Sequence, residues 1–171
     1  SNDHVNSGDS AIYVLNVSGD AALTIRLEGG NTIEEVGTGI YVLAHSSSTG
    51  TASLTITGSG SLIASGSVNP GIRVQSNSGD ATLSIENAEV EAAVTGVARV
   101  GVMVQADDSS DASLTVEGGS LTATGTGSNP GIRFQFGSSV SGSGTPSLNV
   151  SNSAMVKASS DTGGITSNSS P

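Results

Sequence analysis

Ala22-Leu23-Thr24-Ile25 returns as Ser53-Leu54-Thr55-Ile56, Thr82-Leu83-Ser84-Ile85, Ser113-Leu114-Thr115-Val116 and Ser147-Leu148-Asn149-Val150. Counted on the leucine, the steps are 31, 29, 31 and 34 residues, the period of a stacked solenoid. Each unit carries two more alternating segments. One places Ile33, Leu62, Val90, Leu121 and Val156 in a single predicted column, with Ala64, Ala92, Ala123 and Ala158 two residues on. The other reads Ala11-Ile12-Tyr13-Val14, Gly39-Ile40-Tyr41-Val42, Gly71-Ile72-Arg73-Val74, Gly101-Val102-Met103-Val104 and Gly131-Ile132-Arg133-Phe134, with a worn copy at Gly164-Ile165-Thr166. Period-two alternation marks a strand with one buried face.

Three strands per turn, each paired with its copy ~4.8 Å above, predict an all-β chain. The expected fold is a right-handed single-stranded parallel β-helix of about five turns. A helical solenoid is excluded, because Gly, Ser and Thr saturate the units and no 3.6-residue stripe appears. A β-sandwich also places strands every ~8–12 residues, but it does not repeat three of them at a thirty-residue period. Irregular corners suit the right-handed form, and the strict hexapeptide of short left-handed forms is missing. From the leucine of strand one to the first apolar residue of strand three takes 17–19 residues, whereas the return takes 11–16. Length variation is thus expected in the turn from strand three to strand one, where insertion disturbs the stack least. At the corners, Asn69-Pro70-Gly71 and Asn129-Pro130-Gly131 predict type II turns with Gly at positive φ. Asp20, Asp80 and Asp111 each stand three residues before the leucine, where Asx-turns are expected.

The 171-residue chain has 24 Gly, no Cys, no Trp and 2% aromatic residues, too few large side chains for a thick core. A thin column of stacked Leu, Ile and Val resolves that shortage. Disorder, the competing reading of a Ser/Gly/Thr-rich chain, does not place β-branched residues at fixed positions. The net charge of −10 repels nucleic-acid phosphates and anionic membranes, so neither is an expected partner. No run approaches the ~18–20 apolar residues of a membrane span. The absence of Cys fits a cytosolic protein or a Cys-poor exported bacterial one. No signal peptide begins the chain, which reads as an excised or mature fragment. Residues 1–9 are expected to be an extension or tag remnant, 10–166 the β-helix and 167–171 a tail.

Glu117-Gly118-Gly119-Ser120-Leu121-Thr122-Ala123-Thr124-Gly125, followed by Pro130-Gly131-Ile132, resembles the repeats of Gram-positive bacterial surface proteins. Those belong to the right-handed β-helix (pectate-lyase-like) superfamily, and the similarity covers roughly residues 10–166. The resemblance implies an extracellular, wall-attached protein, often one module of a longer chain with flanking domains. Some members of that superfamily cleave or bind acidic polysaccharides; others are adhesins or passive stalks. Its lyases need clustered Asp for Ca²⁺ and a basic residue, and hydrolases need two or three carboxylates around the bond. The outward positions of strand one, Thr24, Thr55, Ser84, Thr115 and Asn149, are all neutral, and His4 and His45 are isolated, so neither constellation appears.

The outer face of strand three is the candidate ligand surface. Its first column runs Tyr13, Tyr41, Arg73, Met103, Arg133; its second runs Leu15, Leu43, Gln75, Gln105, Gln135. The glutamines read most simply as an amide ladder along the stack. Tyr13, Leu15, Tyr41 and Leu43 form an apolar patch, either covered by residues 1–9 or a preceding domain, or open to a partner or sugar ligand. Arg73 and Arg133 suit carboxylates. Asp80, Asp107, Asp108 and Asp111 offer a shallow Ca²⁺ site, the plain alternative being a solvated acidic corner. Glu86 and Glu117 are expected to stack in adjacent turns. Paired hydroxyls on strand one raise ice binding, although hydroxyls are also the default for a soluble exposed strand.

These readings point to a non-catalytic extracellular stalk or adhesin module at the bacterial cell surface. Its partner would be a glycan or protein of a host or neighbouring cell. The alternative is a polysaccharide-binding module using strand three, with Ca²⁺ as the one candidate cofactor. An uronan lyase or ice-binding protein ranks below both.

Overall fold

The computed structural model describes residues 10–45, 49–96, 99–107, 109–137, 143–161 and 163–167. The described residues form strands joined by turns: β1 (Ser10–Asn16), β2 (Ala21–Leu27), β3 (Gly30–Glu35), β4 (Thr38–Ala44), β5 (Ala52–Gly58), β6 (Ser61–Gly66) and β7 (Ile72–Ser76). There follow β8 (Ala81–Val94), β9 (Val102–Ala106), β10 (Ala112–Thr124), β11 (Ile132–Phe136), β12 (Pro146–Ser151), β13 (Met155–Ser159) and β14 (Ile165–Ser167). Strand-three segments line up as β1-β4-β7-β9-β11-β14, and strand-one segments as β2-β5-β8-β10-β12. Every pairing is parallel and joins a segment to its copy in the next coil, giving a β-solenoid of about five turns.

The inner columns follow the expected register. Leu23 pairs with Leu54, Leu54 with Leu83, Leu83 with Leu114 and Leu114 with Leu148. Ile12, Ile40, Ile72, Val102, Ile132 and Ile165 form the facing column. Leu54, Leu83 and Leu114 are fully buried, while Leu23 and Leu148, in the outer coils, are half-buried against the same core. Each buried Leu or Ile contributes roughly 1.5–3 kcal/mol.

Strands one and two are separate in three coils but fuse in β8 and β10. The corner survives as a parity switch. In β8 the inward positions are Leu83 and Ile85 before the switch, and Ala88 and Val90 after it. Asn87 (φ 55°) and Gly118 (φ 66°) supply the left-handed residue there, and the pairing of the two strands skips that position. In the second segment, one expected match is displaced by two residues. Ile33 pairs with Ala64, and Leu62 pairs with Asn31. Asn31 replaces the inward apolar residue of the other coils, and its Nδ2 donates to Ser61 O (3.2 Å) and Gly29 O (3.3 Å).

The glycines that open strand three have a different role from the one expected. Gly71 and Gly131 are absent from the positive-φ glycines, so the type II turns do not form. Close approach requires them instead. A Cβ on Gly101 would stand 2.8 Å from Ala92 O, and one on Gly39 2.6 Å from Gly71 O. Cβ atoms on Gly71 and Gly131 would collide with Ala64 O and Ala123 O. Gly71, Gly101 and Gly131 therefore pack on the alanine carbonyls of strand two, while Gly39 packs on Gly71 and Ser65. In the first coil the position is Ala11, which is exposed.

The turn from strand three to strand one varies as expected, from four residues between β1 and β2 to nine between β11 and β12. Its aspartates do not cap their own turns. Asp20 Oδ1 accepts from Thr51 N (2.8 Å), Asp80 Oδ1 from Asp111 N (2.8 Å) and Asp111 Oδ1 from Thr145 N (3.0 Å). Each carboxylate ties its coil to the next. Asp20 is held below the usual carboxylate range by hydrogen bonds from the Thr51 backbone and side chain.

Candidate functional site

Strand-three pairing brings Tyr13, Tyr41, Arg73, Met103 and Arg133 into one outward column, and Leu15, Leu43, Gln75, Gln105 and Gln135 into the next. Within the first, the Tyr13 and Tyr41 rings lie 5.2 Å apart at 31°, and Arg73 Cζ sits 4.9 Å from the Tyr41 ring centroid. That is a cation–π contact on a tyrosine pair. The two columns are joined diagonally. Tyr41 Oη donates to Gln75 Oε1 (2.6 Å), and Arg73 Nη2 donates to Gln105 Oε1 (3.1 Å). Gln75 Nε2 turns to Asn77 Oδ1 (2.7 Å). These bonds replace the expected ladder between Gln75 and Gln105, because Tyr41 and Arg73 reach the amide oxygens first. Burial pushes the Tyr41 hydroxyl above its ordinary pKa, opposed by the Arg73 charge and reinforced by Tyr13.

The apolar quartet is uneven. Tyr13 is 42% and Leu15 46% exposed, Tyr41 is half-buried and Leu43 is 8% exposed. The proposed cover, residues 1–9, lies outside the described residues, as does His4.

Two hollows flank these columns. At the C-terminal end of strand three, Gln75, Asn77, Gln105 and Asp107 line a space of ≈ 320 Å³. At the N-terminal end, Arg73, Arg99, Arg133, Asn69, Asn129 and Met103 line one of ≈ 220 Å³. Arg99 and the two asparagines were not among the site residues expected from sequence. Arg99 occupies an irregular turn, yet its backbone is pinned to the next coil. Its N–H donates to Thr126 Oγ1 (3.2 Å), and Thr126 N donates to Arg99 O (2.9 Å). A signal was present: three of the five Lys and Arg residues fall in three successive units.

Among the described residues, no three His, Asp or Glu gather into a metal-binding group. Asp80 and Asp111 each commit an oxygen to a backbone N–H, Asp107 faces the first hollow, and Asp108 lies outside the described residues. Glu86 and Glu117 are in register as expected; Ser84 Oγ donates to Glu86 (3.2 Å) and Asn152 Nδ2 to Glu117 (2.7 Å). On strand one, Thr24, Thr55, Ser84, Thr115 and Asn149 form a registered outward column.

Compared with family models, curated proteins and solved structures, the chain finds no match. Its own registered repeats define the class: a parallel β-solenoid.

Proposed function

We propose that the chain is a non-catalytic extracellular module of a bacterial surface protein, a rigid stalk or adhesin segment whose strand-three outer face meets the partner. The observation that carries this reading is the unbroken column of Tyr13, Tyr41, Arg73, Met103 and Arg133, set against the Thr, Ser and Asn of the corresponding column on strand one. The resemblance to Gram-positive surface repeats supplies the location, and the solenoid supplies a stiff spacer. Binding of the chain to bacterial and epithelial cell surfaces, with Tyr41→Ala and Arg73→Ala as variants, tests it. Loss of binding in both variants supports an adhesive face. Retention in both moves recognition elsewhere and leaves the stalk.

A second reading, a polysaccharide-binding module, is favoured by the arginine-lined hollow beside the same column. A glycan array with and without EDTA tests this reading and its Ca²⁺ dependence. Ultraviolet absorbance from unsaturated product on pectate would instead mark an uronan lyase, and none is expected.

A further inference from the structure

Among the described residues, the first coil (β1–β3) and the last (β12–β14) each leave three strand edges without a partner strand. β1, β2 and β3 pair with β4, β5 and β6 alone, and β12, β13 and β14 with β10 and β11 alone. Unpaired edges are templates for further strands. The apolar columns sealed in the middle coils also come open there. Ile72, Val102 and Ile132 are fully buried, as are Ile56, Ile85 and Val116, yet Ile165 and Val150, which continue those two columns, are each 47% exposed. At the opposite face Ile12, Val14, Leu23, Ile25 and Ile33 are half-buried. Apart from Ile63 and Val68, every exposed large apolar side chain among the described residues lies in one of these two coils.

The two faces fit each other. Carried one step past the last coil, the parallel register sets Leu23 of a second copy on Leu148, its Ile25 on Val150, its Ile12 on Ile165 and its Ile33 on Ala158. Charge matches as well. Lys157 is the one lysine of the chain; it is exposed on β13, beside Thr122 of β10, and forms no ion pair among the described residues. The same step sets Thr32 on Lys157 and places Glu34, exposed and likewise unpaired among the described residues, two residues along. Strand spacings of ~4.8 Å and ~3.3 Å per residue put their backbones roughly 8 Å apart, within reach of the two side chains. A pairing of first coil with first coil would instead bring Glu28, Glu34 and Glu35 towards their own copies. We infer that the chain associates with itself head to tail, the last coil of one copy seating on the first coil of the next with Lys157 against Glu34. Such a contact does not close on itself, so it builds linear strings in which the solenoid runs on through each junction. It is independent of the outer face of strand three.

Sedimentation velocity of the intact chain over a series from micromolar to millimolar concentration tests it. The weight-average mass is expected to climb without a plateau, and the amides of β12, β13 and β14 to gain protection from hydrogen exchange as it does. Lys157→Glu and Glu34→Lys each set like charges across the junction and should weaken association about fivefold, with the melting temperature of the monomer unchanged because both side chains are exposed. Mixing the two variants, or combining both changes in one chain, re-forms opposite charges and should restore association. A monomer at every concentration overturns the inference, and slow exchange along β1 in that monomer would mark residues 1–9 as the cover of the first coil. A mass that stops at the dimer overturns it in favour of a pairing of like faces. Association that ignores both charge reversals, or that mixing does not recover, overturns it too.

Discussion

Strands one and three share a repeat, a register and a buried inner column, yet the central columns of their outer faces differ. Outside strand one stand Thr24, Thr55, Ser84, Thr115 and Asn149; outside strand three stand Tyr13, Tyr41, Arg73, Met103 and Arg133. Inner positions are set by packing, so both strands keep apolar side chains there, mostly Leu, Ile and Val, with Phe134 and Phe136 on β11. Outer positions answer only to solubility unless something else acts on them, and small hydroxyls are what solubility alone produces. A departure from that default marks a second demand.

Four experiments break or sharpen this contrast. Leu83→Asp places a charge at a fully buried position and should abolish the cooperative urea transition followed by circular dichroism. Its outer counterpart Thr55→Asn, which copies Asn149, should move stability by less than about 0.5 kcal/mol. Equal effects would end the inside–outside distinction. Next in size, Gly101→Ala forces a Cβ to 2.8 Å from Ala92 O and should cost about 1–3 kcal/mol. Gly163→Ala has open space and should change stability by no more than about 0.5 kcal/mol.

On strand three, Tyr41→Phe removes the donor to Gln75 and should cost about 0.5–1.5 kcal/mol at neutral pH. Because the folded-state pKa of Tyr41 is raised, its contribution is fully present below the ordinary tyrosine pKa and is lost as pH climbs through the raised value. Wild type should therefore lose more stability than Tyr41→Phe across that alkaline window, as melts from neutral to strongly alkaline pH would reveal. The smallest effect is expected at Asp20, whose pKa is lowered. Its contribution is present above the unfolded carboxylate pKa, about 3.9, and vanishes as pH falls through the folded value. Asp20→Asn should flatten that acid limb of the melting temperature, and an unchanged limb would mean the Thr51 bond does not form in solution.

The inner columns were legible because alternation of apolar and small residues fixes parity without help from the rest of the molecule. Where an inward residue was polar, as at Asn31, the pattern slid by two and attached Ile33 to the wrong partner. Gly after Pro invited a turn argument. Only the stacked backbone reveals that Gly71 and Gly131 are small because alanine carbonyls lie against them. The aspartates were rightly expected to accept N–H bonds, but the donors stand one coil away. On the outer face the strand residues could be counted into columns, whereas Arg99 could not, since an irregular turn has no period to betray its neighbours.

Each coil touches only those directly above and below it, through the paired strands and the aspartate bonds between coils. Under tension such a stack should yield by peeling, because an end coil is held by one neighbour alone and can leave without breaking the contacts of the rest. Optical-tweezer extension is expected to give a staircase of small releases, each near the 29–34 residues of one repeat. A single rupture of the whole length would refute this. A tether of that kind would absorb the shear of flowing liquid by lengthening in steps, while whatever it holds stays held.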